Sequence, residues 1–149
     1  MRVDFYQLSR DPAEMVVPLL AAASKKAGQR LLVVSDDAQQ LGRIDKALWE
    51  MAPDAFLAHG IAGAGHDEDQ PALLAHDITF TNAAKFIILA DGKWREAASK
   101  FERAFLLFGD DRLQEARTCW TALGKQEGDG EAIERHFWKQ DGGKWREMG

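Results

Sequence analysis

The sequence predicts an α/β fold, a mostly parallel sheet covered by helices, and three observations carry that prediction. Strand-like segments alternate with segments of helical periodicity along the chain. Several of the strand-like segments are apolar without a break, as strands buried on both faces are. The 149 residues, 46% hydrophobic and 29% charged, suffice for one ordinary domain with a buried core.

Residues 3–8 (VDFYQL) alternate apolar and polar side chains and read as the first strand. A helix is expected next, with Asp11 as its N-cap, Pro12 at the first helical position, Glu14 closing a capping box, and Gly28 ending it after Ala27. Pro18 removes a backbone donor inside that span, so the helix is either kinked there or regular only from about Val17. Residues 30–35 (RLLVVS) form a short apolar run typical of a buried strand, and a second helix follows over about 37–51. Residues 55–59 read as a short strand, 60–70 as a Gly- and Asp-rich surface loop, and 78–80 and 85–90 as two more strands. Asp91-Gly92 reads as a turn, 93–101 as a helix, 104–108 as a strand and 110–123 as the last helix. The remaining segment is polar and Gly-rich in places, yet its Phe137, Trp138 and Trp145 imply that it docks on the rest of the chain.

Charge narrows the functional classes. With 19 Lys and Arg against 24 Asp and Glu, the formal net charge is −5. A protein that grips DNA itself normally presents a basic face that displaces counterions. The overall balance therefore favours protein partners, with DNA met only indirectly, although a local basic patch is compatible with it. No apolar run is long enough for a membrane helix, and the first residues lack the basic-then-apolar pattern of a signal peptide. A cytoplasmic, membrane-free protein is expected. Cys119 is the single cysteine, which excludes an internal disulfide.

An α/β fold raises the question of nucleotide chemistry, which needs a phosphate loop after a strand. Ser9-Arg10-Asp11-Pro12 follows the first strand and Asp36-Asp37-Ala38 the second. Neither has the glycines, or the Lys-Ser/Thr pair, that let backbone amides wrap a phosphate, and two acidic residues at a helix entrance repel an anion. Gly60, Gly63 and Gly65 cluster without a lysine or a following helix signal and read as a loop. His59, His66 and His76, with Asp67, Glu68 and Asp69 near them, match no metal-ligand spacing. Cys119 within a helical pattern reads as a small buried apolar group. No catalytic residue, metal or cofactor is expected. A small nucleotide-using α/β enzyme is the competing class, and a Gly-rich loop with lysine after a strand is what would distinguish it.

Two surfaces invite partners. In the second helix Leu41, Ile44, Leu48 and Met51 form one core-facing stripe, and Trp49 lies about 100° round from Leu48. Trp49 either packs on the following strand or waits at the surface. In the last helix Leu113, Ala116, Trp120 and Leu123 recur at three- and four-residue spacings, and Arg117 shares a face with Trp120. An aromatic surface beside a guanidinium suits a peptide that offers an apolar side chain and a carboxylate. The plainer reading of the same spacing is an amphipathic helix with a core Trp and a surface Arg.

These places also carry a family likeness. Arg43, then Ile44-Asp45-Lys46-Ala47-Leu48-Trp49, then Phe56 and His59 resemble the signature of the chi subunit of bacterial DNA polymerase III. The opening DFYQL strand, the apolar second strand and the EAR-x-x-W helix fall in the same order, from residue 4 to about residue 123. The resemblance implies a Rossmann-like, three-layer domain over residues 1–123 without a phosphate-binding loop, and a C-terminal extension over 124–149 packed on or near it. It implies a non-catalytic accessory subunit that links the clamp-loader complex, through psi, to single-stranded DNA-binding protein. The tail of that protein is acidic and ends in phenylalanine with a free carboxylate. Arg117 matches the tail-binding arginine and Trp120 the aromatic residue beside it. Where the family has a lysine four residues before the arginine, this chain has Leu113 with Arg112 next to it. Trp49 and Phe56 match aromatic residues on the surface used for psi, which some members use for a DNA-repair helicase.

Overall fold

The computed structural model describes residues 1–9, 11–50, 57–125, 133–141 and 144–148. Among them the strands form one sheet of eight, in the order β3-β4-β2-β5-β6-β1-β7-β8. These are β1 (Arg2–Gln7), β2 (Leu31–Val34), β3 (His59–Ile61), β4 (Ala72–Ala75), β5 (Phe86–Leu89), β6 (Arg103–Phe108), β7 (Glu134–Asp141) and β8 (Lys144–Glu147). Every neighbouring pair is parallel except the antiparallel β7–β8 hairpin.

Helices cover both faces, giving three layers. Side chains of successive strand residues point to opposite faces, and in the central strands both sets are buried. Leu31 and Val33 of β2 pack with Val16, Val17 and Ala21 of α1 (Ala13–Lys26) and with Leu41, Ile44 and Leu48 of α2 (Ala38–Glu50). Leu32 and Val34 face the other way, into a cluster with Phe5, Leu106, Ala98 and Phe101, and with Ala116 and Leu123 of α3 (Leu113–Gly124). Two-sided burial is why these strands are apolar throughout. The stripe expected on α2 is the buried one; its Met51 lies outside the described residues.

Local chemistry sets the ends of the elements. The Asp37 carboxylate accepts hydrogen bonds from the backbone N–H groups of Gln39 (2.9 Å) and Gln40 (3.3 Å), an N-cap for α2. At the end of α1 the N–H of Gly28 reaches the carbonyl of Lys25, and that of Gln29 the carbonyl of Ser24. This Schellman closure needs the left-handed φ of +72° that Gly28 supplies.

Several expectations are corrected. The capping box at Asp11 does not form: α1 begins at Ala13 after Pro12, without a side-chain cap, because Asp11 accepts a hydrogen bond from the Gln140 side chain at 2.7 Å. Helix α1 runs through the buried Pro18 instead of starting near Val17. Residues 78–80 are not a strand; the apolar run Ala72–Ala75 is, and it fills the place between β2 and β3. The third strand lies at His59–Ile61, two residues of it in the expected loop, and residues 55 and 56 of the expected strand lie outside the described residues. The helix expected over 93–101 is only a 3₁₀ turn, Glu96–Lys100.

The C-terminal aromatics dock by extending the sheet. Phe137 stacks on Phe5 on the α3 face, while Trp138 stacks on Tyr6 on the other, where Trp145 meets the same ring edge-on. Buried Asp4 ties three strands together. It accepts hydrogen bonds from Arg2, from Arg103 Nε at 2.8 Å and from Trp138 Nε1 at 3.0 Å. Burial, followed by the nearby Asp4 charge, pushes the Tyr6 hydroxyl up to about 12.

Candidate peptide-binding site

The most informative cavity lies under the edge of α3, at the carboxyl ends of β1 and β7. It encloses about 580 Å³ and is lined by Gln7, Arg117, Trp120, Thr121, Phe137, Lys139 and Met148. Its apolar wall is built first. Trp120 meets Phe5 edge-on at 5.2 Å and Phe137 at 5.8 Å, and Phe137 meets Phe108 at 5.7 Å. The guanidinium of Arg135 on β7 lies 4.5 Å from the Trp120 ring centroid and donates to the Trp120 carbonyl at 2.7 Å. A cation near the C-terminal end of α3 suits the helix dipole. Gly124 leaves the room: a Cβ on it would fall 2.6 Å from the Arg135 side chain. Trp120 is thus half core and half cavity wall.

Among the described residues the charges on this cavity are of one sign. Arg117 and Lys139 line it, both are exposed, and neither has an ion-pair partner among the described residues. No carboxylate lines it among the described residues. Such a site offers aromatic walls to an apolar side chain and hydrogen-bond donors to an anion.

The other expected residues are distributed. Leu113 is half-buried against the α3-side core. Arg112 donates to Glu115 at 2.8 Å and lines a different cavity, at the carboxyl ends of β1, β5 and β6. That crevice is where open α/β sheets commonly bind ligands. Here it is lined by Asp11, Glu14, Asp91, Asp110 and Asp111. Burial opposes ionisation of Asp91, but hydrogen bonds from Arg95 and from the backbone N–H groups of Asp36 and Lys93 outweigh it and hold the carboxyl below its usual range. Cys119 is half-buried, and burial, with Glu96 nearby, pushes its thiol up to about 11, far from a nucleophile's range. Among the described residues no three His, Cys, Asp or Glu side chains gather to hold a metal ion, and no helix is long and apolar enough to cross a membrane.

Trp49 stands on the far side of the sheet, 57% exposed. Its ring lies 4.7 Å from that of His59. The His59 ring is held in turn between the Leu57 carbonyl (2.8 Å) and Asp45 (2.9 Å). Asp45 and Trp49 are four residues apart on one helix face, so the signature residues form one braced unit around an exposed indole. Phe56, expected beside it, lies outside the described residues. Of the two options for Trp49, the surface position is the one it takes, with its ring against the β3 histidine.

Comparison with known proteins decides the family. The family model for "DNA polymerase III chi subunit, HolC" matches residues 1–142. The chain belongs to the chi family. It is 28% identical over 108 residues to DNA polymerase III subunit chi of Escherichia coli (strain K12), spanning 68% of this chain and 71% of that relative. As a chi subunit it is an accessory component of DNA polymerase III in DNA replication and not a catalytic one.

Sequence reading missed Phe137, Lys139 and Met148 as cavity residues. The aromatics of the last 25 or so residues signalled docking, but nothing in their spacing says that β7 pairs with β1, 132 residues away in sequence. That parallel register, Phe5 opposite Phe137 and Gln7 opposite Lys139, is what brings the cavity's two walls together.

Proposed function

We propose that this chi-family chain is the adaptor that joins the clamp loader, through psi, to single-stranded DNA-binding protein, and that the α3 cavity receives that protein's acidic C-terminal tail. The observation that carries the proposal is the pairing of aromatic walls with two cations that, among the described residues, have no ion-pair partner and share the cavity with no carboxylate. The terminal phenylalanine ring sits against Trp120 and Phe137, and its carboxylate takes the Arg117 guanidinium. A short disordered tail offers few contacts, so a dissociation constant on the order of 1 μM, or about −8 kcal/mol, is expected. The chain works in the cytoplasm and meets DNA through its protein partner.

The test is a titration of a labelled peptide copying the host tail, with and without its terminal Phe. Wild type binds the complete peptide, loses it when the Phe is removed, and Arg117→Ala weakens binding by about tenfold or more, the scale of a charge-assisted hydrogen bond. Equal binding of both peptides, or none, ends the assignment.

The exposed Trp49, braced by His59 and Asp45, supports a second surface, for psi or for a DNA-repair helicase, with Phe56 as its expected neighbour. Co-expression with each candidate is expected to give a complex that Trp49→Ala disrupts at unchanged stability. A complex that survives the substitution removes Trp49 from the docking surface.

A further inference from the structure

The cavity under α3 does not end at its own rim. A second, smaller cavity of about 310 Å³, lined by Lys139, Gln140, Asp141, Arg146 and Met148, shares Lys139 and Met148 with it. The two therefore form one trough crossing the β7–β8 hairpin. Strand register explains its charge. Gln7 on β1 pairs with Lys139 on β7, which pairs with Arg146 on β8. Residues paired across neighbouring strands share a face, with strands about 4.8 Å apart. Phe5 and Phe137 lie two residues before Gln7 and Lys139, so this row belongs to the α3 face. Lys139 has no ion-pair partner among the described residues, and Arg146 meets only the exposed Asp141, at 3.5 Å. An exposed pair of that kind is weak and readily exchanged for another carboxylate.

We infer that the β7–β8 hairpin is the second wall of the receptor, and that Lys139 takes the acidic residues preceding the tail's terminal phenylalanine. This rests on the tail-binding reading above and adds a direction to it. The peptide's end sits between Trp120 and Phe137, and its acidic stretch runs outward over Lys139 toward Arg146. The specificity for an acidic peptide, beyond a terminal aromatic residue, then comes from the hairpin and not from α3.

The test uses the full chain and two labelled peptides: the host tail, and the same tail with its acidic residues changed to Asn or Gln and the terminal Phe kept. Lys139→Ala is expected to weaken the native peptide about three- to fivefold, the scale of an exposed ion pair. It leaves the neutralised peptide as wild type binds it, and Lys139→Arg restores the native affinity. Arg117→Ala weakens both peptides. If Lys139→Ala binds the native peptide as wild type does, or weakens both peptides equally, the role given to Lys139 is overturned while the α3 pocket stands. If wild type binds neither peptide, the pocket reading falls and the hairpin assignment falls with it.

Discussion

Two cavities lie on either side of the turn that leads into α3, and they are opposites. The crevice at the carboxyl ends of β1, β5 and β6 occupies the position where an α/β sheet commonly binds a nucleotide, yet among the described residues five carboxylates and one arginine line it. The cavity under α3 holds, among the described residues, aromatic rings, two cations and no carboxylate. One hydrogen bond joins them: Gln7, on the wall of the second, donates to Asp110, on the wall of the first, at 3.0 Å. The contrast teaches that fold position and function are separable. In a chain of net charge −5, acidic residues gather where the fold invites a phosphate, while Arg117 and Lys139, without ion-pair partners among the described residues, line the cavity under α3.

The largest effect that tests this contrast is the loss of tail binding on Arg117→Ala. A variant that keeps full affinity would make the cation's position incidental. The next concerns the crevice alone. Asp91 is a structural acid: it accepts two hydrogen bonds from Arg95, at 3.0 and 2.7 Å. Its carboxyl is held below the ordinary carboxylate value, so its contribution is present above that value and is lost as pH falls through the folded-state one. Asp91→Asn is expected to cost about 2 kcal/mol of stability at neutral pH, the scale of a charged hydrogen bond. The difference from wild type should shrink in denaturant melts below about pH 4. Tail affinity at neutral pH should not follow it. If it does, the two cavities are not independent.

How much of this was legible in the sequence follows physical lines. Helix α2 was legible because Leu41, Ile44 and Leu48 repeat at helical spacing. Strands β2, β5 and β6 were legible because two-sided burial makes them continuously apolar. Strand β4 was not: four residues between Pro71 and His76 carry little periodicity, and the β-branched Ile78 and Thr79 nearby gave the stronger local signal. The capping box at Asp11 failed because a tertiary partner, Gln140, competes for the same carboxylate. Of the cavity, the shared face of Arg117 and Trp120 was legible because a helix puts residues three apart together, but that spacing fits a core Trp with a surface Arg equally well, and only the family resemblance singled the pair out. Lys139 and Phe137 were not, since only a sheet register spanning the whole chain brings them there.

The smallest effect is the most demanding test of the comparison. Asp111 is exposed on the acidic crevice and has no hydrogen bond or ion pair among the described residues, so neutralising it changes charge and little else. If the crevice acts on the tail only as part of the general field, Asp111→Asn removes one repulsive charge that salt already screens over about 8 Å at physiological ionic strength. Affinity for the acidic tail is then expected to rise by less than about twofold, and the difference to vanish as salt is added. An increase several times larger that persists at high salt would mean that the tail passes close to the crevice. Its acidic residues would then run across the turn before α3 and past Arg112, not over the hairpin and Lys139.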